Sequence, residues 1–311
     1  MAEFRPGSPD QTELLEALID AGHLIPSGVP GVYGRGGDYE DVRQRFDAYV
    51  TRVATAAGET PEVMRFPPVL PRKQIEDLGY LENFPHLAGS VFAFEGTEAQ
   101  ARAMAELAGR HEDWTEHQHP SELCLTPAVC YPVYPAVGRR GALPAGGVTI
   151  DPGASYAFRH EPSGDPARLQ MFHMRELVRI AEPEVVQAWR DGWRDRALTL
   201  LRALGLDADF DVASDPFFGR SGRMMAASQR EQALKFEILV QIAGPEPTAI
   251  ASFNYHQDHF SGLYGITTAD GGEAHTACLG FGHERIVLAL LQTHGLDVAA
   301  WPAEVRAELW G

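Results

Sequence analysis

The stretch from Ser155 to Ile180, which reads SYAFRHEPSGDPARLQMFHMRELVRI, constrains the fold more than any other part of the chain. Its middle, residues 161–167, carries two prolines, a serine, a glycine and an aspartate, all residues typical of turns. From Leu169 to Ile180 one side of the segment is mostly apolar, as on a strand with one buried face. The stretch therefore predicts a β-hairpin, two antiparallel strands joined by a polar loop.

Two groups of charged side chains on this hairpin need partners. Glu176 lies in the middle of the apolar face, where a half-buried carboxylate requires either a cation or a metal ion. Arg159, Glu161 and Arg168 bracket the loop, and two guanidinium groups beside a turn suit an oxyanion such as a phosphate. The hairpin thus predicts anion binding at its open end and a lone acid along its second strand.

The other periodic segments predict further strands and surrounding helices. The predicted strands are 62–70, 90–95, 232–243, 249–256 and 274–279, and the predicted helices are 10–22, 39–57, 97–111, 183–205 and 283–294. This order lacks the regular alternation of strand and helix that a parallel sheet requires. It predicts an α+β fold with a central antiparallel sheet.

Composition limits the partners and the compartment. The net charge of −17 argues against a broad surface for nucleic acid or anionic membrane, since either needs a basic patch. Three cysteines are an odd, sparse set that fits a reducing cytoplasm and not a disulfide framework. The opening residues MAEFRPGSPDQTELL lack a signal-peptide pattern, and no apolar run approaches the ~18 residues of a membrane span. We therefore expect a cytoplasmic protein without a membrane-spanning helix.

Two other segments have a functional and a plainer interpretation. Residues 28–37, GVPGVYGRGG, match neither common glycine-rich phosphate-binding pattern, which favours a surface or lid loop over nucleotide binding. His111, His117 and His119 lie among acids, but their spacing matches no standard metal-ligand set. A solvated loop is therefore favoured over a metal site there.

Cys130, Glu176 and Cys278 are far apart in sequence, and their spacing does not decide their role. Two thiolates and a carboxylate could form an open zinc site whose fourth position is free for a ligand. Buried structural cysteines are the plainer alternative, because free cysteine is among the most buried residue types. Both interpretations stay open on the residues alone.

Three charged residues nearer the C-terminus also leave alternatives open. Arg285 lies in the first turn of an apolar helix, where a cation opposes the helix dipole by up to ~1 kcal/mol. Either a salt bridge or a bound phosphate would offset that cost. Lys235 and Glu237 share the polar face of a strand, which is a solvated surface unless it faces the hairpin and forms the floor of a cleft.

Two sequence motifs resemble those of class II aminoacyl-tRNA synthetases. FRHE at 158–161, followed by Arg168, resembles motif 2, and GFGHER at 280–285, opening a C-terminal helix, resembles motif 3. RFPPVL, with Pro68, resembles motif 1, which builds the dimer interface in that class. The resemblance implies a class II synthetase-like catalytic domain over 61–311, preceded by an N-terminal helical segment over 1–60.

The metal and acceptor specificity implied by the resemblance differ from those of a bacterial seryl-tRNA synthetase. Near LTPAVCYPVYP, Cys130 falls where the zinc-dependent archaeal-type seryl enzymes carry a cysteine ligand, and Glu176 and Cys278 complete the set. The N-terminal segment lacks the heptads of a coiled-coil tRNA-binding arm. The chain is therefore most similar to the amino acid:[carrier protein] ligases, truncated zinc-containing homologues of seryl-tRNA synthetase.

That family resemblance implies an activity with defined partners. The implied enzyme is a cytoplasmic homodimer that activates a small amino acid, glycine or alanine, with ATP, and transfers it to the phosphopantetheine thiol of an acyl carrier protein. Zn²⁺, ATP and Mg²⁺ are the implied cofactors. The alternatives are transfer to a small-molecule acceptor or to tRNA, and a non-catalytic synthetase paralogue. Net charge and the short N-terminal segment disfavour tRNA.

The resemblance also implies roles for individual residues. Arg159 would bind the α-phosphate and Arg285 the γ-phosphate, so these two are the predicted catalytic residues. The predicted ATP-binding residues are Arg159, Glu161, Arg168, Leu169, Lys235, Ala249, Ile250, Ala251, Ser252 and Arg285. Cys130, Glu176 and Cys278 are the predicted metal ligands, and Glu176 and Asn254 the predicted substrate contacts.

Two further assignments concern magnesium and the carrier protein. The acid that binds magnesium in seryl enzymes aligns near Thr248, which is not a carboxylate, so Glu237 is the predicted substitute. Helix 183–205 carries arginines 190, 194, 196 and 202 beside two tryptophans, and is the hypothesised docking surface for the carrier. An ordinary amphipathic helix is the alternative.

Overall fold

The structure, a computed structural model, describes residues 10–311. Residues 1–9 lie outside the described part. They belong to the predicted N-terminal segment 1–60 and to the stretch in which no signal peptide was expected. Among residues 10–311, no helix combines the length and the apolar character needed to cross a bilayer.

The order of elements places the longest strands, β7 and β8, in the middle of the chain. The strands are β1 Leu24–Pro26, β2 Tyr33–Arg35, β3 Glu62–Val63, β4 Val69–Pro71, β5 Ser90–Phe94, β6 Gln118–Leu125, β7 Val148–Phe158, β8 Met171–Ala181, β9 Asp209–Val212, β10 Lys235–Val240, β11 Thr248–Gln257 and β12 His275–Gly282. The α-helices are α1 Gln11–Asp20, α2 Gly37–Ala56, α3 Arg72–Asp77, α4 Tyr80–Asn83, α5 Glu98–Gly109, α6 Val133–Gly138, α7 Pro183–Ala203, α8 Gly219–Glu231, α9 His259–Tyr264, α10 His283–His294 and α11 Ala303–Trp310. Single 3₁₀ turns lie at Thr115–His117 and Val298–Ala300.

A seven-stranded sheet forms the centre of the fold, in the order β3-β7-β8-β12-β11-β10-β9. Strands β7 and β8 form the predicted hairpin, with Ser155 opposite Met174. Neighbouring strands pair antiparallel except β3, which pairs parallel with β7 at the edge. The predicted antiparallel α+β sheet is therefore correct for all but this short edge strand.

The predicted strand over 62–70 is wrong as a single element. Glu62–Val63 joins the large sheet, whereas Val69–Pro71 joins a separate three-stranded sheet of order β4-β6-β5. Pro67 and Pro68 lie between the two pieces, and neither can donate a ladder hydrogen bond. The prolines therefore divide the segment between two sheets. The smaller sheet packs with α3 and α4 around Leu70, Ile75 and Tyr80, forming one wall of the site described below.

The main core joins the N-terminal helices to the large sheet. Leu14 of α1 and Phe46 of α2 share one apolar cluster with Trp193 of α7 and Phe281 of β12. Helix α10, apolar on nearly every side, is buried within the same cluster. The division of the chain at residue 60 stays a prediction, since residues on both sides of it contribute to this core.

Candidate active site

Three potential metal ligands from distant parts of the chain meet beside the centre of the large sheet. Cys130 comes from the loop between β6 and α6, Glu176 from the middle of β8 and Cys278 from the middle of β12. Because β8 and β12 are neighbours with Glu176 opposite Gly280, their two side chains lie close together. One ligand atom from each of the three residues lies within 4.8 Å of the others, and all three residues are buried. The pairing of β8 with β12 therefore brings together ligands whose spacing in the sequence did not predict a common site.

One carboxylate oxygen of this buried cluster lacks a hydrogen bond within the described part of the chain. Oε1 of Glu176 accepts from the Val129 amide at 3.3 Å, whereas Oε2 has no hydrogen-bond partner among residues 10–311. Burial, reinforced by the nearby Cys278, raises the pKa of Glu176 to about 8. The Cys130 thiol donates towards Cys278, which raises the pKa of Cys130 and lowers that of Cys278. An unpartnered carboxylate oxygen facing two thiols is a donor set that fits a zinc ion.

Two side chains from β11 surround the sulfur of Cys278. Asn254 Nδ2 donates to Cys278 Sγ at 3.5 Å, and His256 Nε2 lies 3.6 Å from the same atom. Asn254 was a predicted substrate contact, and it lines the cavity that contains the cysteines. His256 was not predicted, although it shares a strand face with Ser252 and Asn254 at the spacing of two residues.

A second cleft collects the predicted nucleotide-binding residues. All of them except Arg168 line it, namely Arg159, Glu161, Leu169, Lys235, Ala249, Ile250, Ala251, Ser252 and Arg285. The cleft also has Phe172 in its wall, and the Arg159 guanidinium lies 5.8 Å from the centre of that ring. The hairpin, β10, β11 and the start of α10 thus meet around one cleft.

Arg285 is a half-buried cation that lines this cleft. Its Nε donates to the Ala167 carbonyl at 2.8 Å and its Nη1 to the Ala249 carbonyl at 2.9 Å. Burial, and then repulsion from Arg159 and Arg168, lowers the pKa of Arg285. Since these hydrogen bonds go to neutral carbonyls, the charge favours an anionic ligand over the simple salt bridge considered from the sequence.

Lys235 forms part of the cleft floor, so a solvated strand face is excluded. Its ammonium donates to Asp215 at 2.7 Å and lies 3.0 Å from a Glu237 oxygen. Burial opposes the charge of Lys235, but the two carboxylates outweigh it and raise its pKa. Asp215 precedes α8, and neither this residue nor that helix was predicted from the sequence.

The side chains of two sequence-based assignments lie away from their expected positions. The Arg168 side chain is 59% exposed, pairs with Asp165 at 3.7 Å and does not line the cleft, so its contact with ATP stays a prediction. Helix α7 is not a free basic surface, because Arg190 is only 3% exposed and Arg194 stacks on Phe210. Its apolar face points into the core, as the amphipathic alternative stated.

The histidines around residue 115 do not form a metal site. Within residues 10–311, the grouping of Cys130, Glu176 and Cys278 is the one set of three or more potential ligands close enough to hold an ion. His111 and His119 are exposed and His117 is half-buried, but His119 lies in β6 and not in the predicted loop.

The nucleotide cleft and the cysteine-containing cavity share a wall. Arg159, Met174, Lys235, Ser252 and Gly280 line both spaces. The cysteine cavity has a volume of about 300 Å³ and is lined by residues of both α4 and α8. A ligand bound near the cysteines would therefore lie close to the Arg159 guanidinium and to the neighbouring cleft.

Sequence relatives agree with this geometry. The chain is 47% identical over 300 residues to "Amino acid--[acyl-carrier-protein] ligase 2" of Bradyrhizobium diazoefficiens, covering 96% of this chain and 88% of the relative. It is 46% identical over 305 residues to "Amino acid--[acyl-carrier-protein] ligase 1" of the same organism, covering 97% and 92%. The chain belongs to the amino acid--[acyl-carrier-protein] ligase family. No protein-family profile matches the chain.

Solved structures confirm the class II synthetase fold of this ligase family member. Seryl-tRNA synthetase of M. kandleri, in complex with A. aeolicus tRNASec, superposes with a TM-score of 0.81 at 21% identity. The match covers 98% of this chain and 63% of the synthetase. The resemblance inferred from motifs 2 and 3 is thus confirmed, and the ligase chain spans less than two thirds of that structure.

Proposed function

We propose that the protein activates a small amino acid with ATP and transfers the aminoacyl group to the phosphopantetheine thiol of a carrier protein. The observation that carries the proposal is the wall shared by the arginine cleft and the cysteine cavity, in a chain that belongs to this ligase family. An amino acid held at the cysteines would present its carboxylate to a phosphate bound at Arg159. The sequence roles of the individual residues remain proposals within this scheme.

The first step needs positioning and charge stabilisation more than proton transfer. A carboxylate oxygen attacks the α-phosphorus of ATP, the bond to the β-phosphate oxygen breaks, and pyrophosphate leaves. Arg159 would stabilise the charge on the α-phosphate, and the half-buried Arg285 would hold the γ-phosphate. No general base is required, because the carboxylate is already a nucleophile.

Cys130, Glu176 and Cys278 would hold zinc in this scheme. The metal supplies an open coordination position for the α-amine of the substrate, which selects a free amino acid. The unpartnered Oε2 of Glu176 and the two inward-facing thiols support this role. Asn254 and His256 would orient the Cys278 sulfur through their N–H groups.

A small substrate, such as glycine or alanine, is proposed because aromatic side chains surround the cysteines. Tyr131 and Phe260 line the same cavity, with ring centroids 6.0 Å apart. Tyr134 stacks on Phe260 from behind with centroids 4.0 Å apart, which restrains that wall. Such a wall favours a short side chain over a long one.

The second step delivers the activated group to a thiol. The sulfur attacks the carbonyl carbon of the adenylate, AMP leaves, and a thioester forms. Apolar side chains along the opening of the cysteine cavity, Phe84, Leu87, Phe217 and Met225, suit a pantetheine arm. Phe217 stacks on Phe84 at 5.1 Å, which places α8 beside that opening.

Helix α8 replaces α7 as the proposed docking surface for the carrier. Phe218, Met224 and Met225 are 57%, 71% and 43% exposed on or beside it. Arg220 and Arg223 are also exposed, so the surface is both apolar and basic. Carrier proteins are usually acidic, and an acidic partner would meet this basic patch on an otherwise acidic chain.

A charge reversal tests the docking surface against a matched control. Arg223→Glu should lower kcat/KM for the carrier by roughly tenfold while amino-acid-dependent pyrophosphate exchange stays unchanged, since a rim charge acts on association. The control is Arg102→Glu on α5, an exposed arginine of a helix that lines neither space. Equal carrier kinetics for the two variants would reject α8 as the dock.

Pyrophosphate exchange across a panel of amino acids, with and without a zinc chelator, tests the activity itself. The expected result is exchange with glycine or alanine that the chelator abolishes, followed by a mass gain on a phosphopantetheinylated carrier. Exchange without loading of any carrier would favour a small-molecule or tRNA acceptor. No exchange with any amino acid would favour a non-catalytic paralogue and refute the proposal.

Magnesium and assembly complete the proposal. Mg²⁺ is proposed to bind between the ATP phosphates and Glu237, whose carboxylate lines the nucleotide cleft. A homodimer is proposed on the resemblance of RFPPVL to motif 1, and light scattering measures it directly. A reducing cytoplasm is the proposed compartment, because the three described cysteines are free thiols.

A further inference from the structure

The glycine-rich segment between β1 and β2 packs directly against the loop of the central hairpin. The backbone N–H of Gln170 donates to the Gly31 carbonyl at 2.8 Å, and its side-chain Nε2 donates to the Pro30 carbonyl at 2.8 Å. Gly31 is buried, and a Cβ placed on it would lie 3.2 Å from the Arg168 carbonyl oxygen. Residues 30–31 are therefore held against the hairpin, whereas the sequence favoured a surface or lid loop for residues 28–37.

Gln170 connects this segment to both ends of the hairpin loop. It is 6% exposed, and its carbonyl accepts from the Arg159 amide at 2.9 Å. Its Oε1 lies 3.2 Å from Nδ1 of His160, so both ends of the side-chain amide are engaged. The backbone of Arg159 is thus fixed by the same residue that holds Pro30 and Gly31.

The other end of the segment contacts the element that carries Arg285. Arg35 donates to Glu284 Oε1 at 2.6 Å and to the Tyr156 hydroxyl at 2.6 Å. Glu284 is buried and also accepts from the His173 amide at 2.8 Å. Residues 30–35 therefore contact both the hairpin loop, which carries Arg159, and α10, which carries Arg285.

We propose that residues 30–35 act as a brace that sets the separation of Arg159 and Arg285, and that Gly31 and Gln170 are positioning residues for ATP. The inference rests on the proposed adenylation, because it assigns those arginines to one triphosphate. A small displacement of a charge-stabilising group is costly in phosphoryl chemistry. None of residues 30–35 lines the cavity that contains the cysteines. The brace should therefore affect ATP binding and leave zinc binding unchanged.

Two glycines of the same loop give a matched test. Gly31 and Gly28 have φ values of +76° and +86°, so alanine meets a similar backbone penalty at either position. A Cβ on Gly31 meets Arg168 and Gln170 at 3.2 Å, whereas a Cβ on Gly28 meets nothing within 4 Å. The difference between Gly31→Ala and Gly28→Ala therefore isolates the contact with the hairpin loop.

Gly31→Ala should raise KM for ATP about fivefold to tenfold and lower the exchange rate by a similar factor, since misplaced groups lose rate steeply. Gly28→Ala should stay within about twofold of wild type for both. Zinc content should be unchanged in both variants. Equal ATP kinetics for the two variants, or a loss of zinc from Gly31→Ala, would overturn the brace.

Direct ATP binding separates this inference from the proposed function. Calorimetry on the full chain should show weaker ATP binding by Gly31→Ala than by Gly28→Ala, whether or not exchange occurs. Gln170→Met removes the neighbouring hydrogen bond from Nε2 to the Pro30 carbonyl, so the double variant should lose less ATP affinity than the sum of the two single losses. Additive losses would contradict a brace that acts as one unit. Absence of exchange by wild type that still binds ATP would refute the adenylation alone.

Discussion

Replacing Glu176 by glutamine separates the role of a metal ligand from that of an ordinary buried acid. In the metal-free protein the pKa of Glu176 is raised to about 8 by burial. At pH 7 the neutral acid therefore exceeds the carboxylate by about tenfold. Glutamine resembles that neutral acid in shape, and its carbonyl can still accept from the Val129 amide. We expect the free energy of unfolding of the metal-free variant to lie within ~1 kcal/mol of the wild-type value.

Zinc binding should respond very differently. Structural zinc contributes roughly 10–16 kcal/mol in zinc-binding peptides, and removing one of three protein ligands takes away about a third of that, ~3–5 kcal/mol. At ~1.4 kcal/mol per tenfold change, the dissociation constant should rise by on the order of 10²- to 10³-fold. The amide cannot supply the anionic oxygen ligand that Glu176 provides when it loses its proton on metal binding.

Competition with a chromophoric chelator measures the dissociation constant, and denaturant titration of the metal-free protein measures its stability. Glu237→Gln is the matched control, since it makes the same change on the neighbouring cleft without altering the cysteine cluster. That control should keep wild-type zinc affinity. Zinc affinity of Glu176→Gln within threefold of wild type would refute the ligand assignment, and a large loss of metal-free stability would refute the protonation argument.

Three other predictions follow from the same geometry. The pKa of Glu176 rises from 4.5 to about 8 on folding, so the stability that its protonation gives the metal-free protein below pH 4.5 is lost as the pH rises through 8. Zinc binds the carboxylate form, so the increase in melting temperature caused by zinc should become larger between pH 6 and pH 8. A smaller increase at pH 8 than at pH 6 would contradict this. Lys235→Met leaves the carboxylates of Asp215 and Glu237 unpaired and should cost ~3–5 kcal/mol in a denaturant melt, part of which Asp215→Asn should restore. Arg285→Met should lower pyrophosphate exchange by ~10²- to 10³-fold with zinc content intact, and near-normal exchange would exclude Arg285 from the nucleotide site.

Much of the site could be predicted because motifs 2 and 3 are short local patterns. The hairpin that carries Arg159 and the helix that begins near Arg285 follow from turn residues and periodicity within single segments. The resemblance built on those motifs led to the correct family and fold, and all but one of the proposed nucleotide-binding residues line one cleft. Arg168 was the exception, because its orientation depends on a local ion pair with Asp165.

Other features required tertiary contacts that no local pattern encodes. Asp215 meets Lys235 only because the segment before α8 folds back across β10, and His256 meets Cys278 only across the β11–β12 pairing. Helix α7 is not the free basic surface that the sequence suggested, because Arg190 and Arg194 are covered by Phe236 and Phe210 from other strands. Burial of a charged side chain depends on what packs over it, which the helix itself does not specify.

The sequence by itself determined the class of fold, the hairpin, the C-terminal helix and the identity of the residues available for chemistry, because periodicity and turn residues act within about ten positions. Only the tertiary structure decided that Cys130, Glu176 and Cys278 share one small volume, and that residues 30–35 brace both arginine-bearing elements. The physical reason is that strand register and chain crossing bring together groups more than a hundred residues apart, and these long-range contacts set burial, pKa and charge pairing.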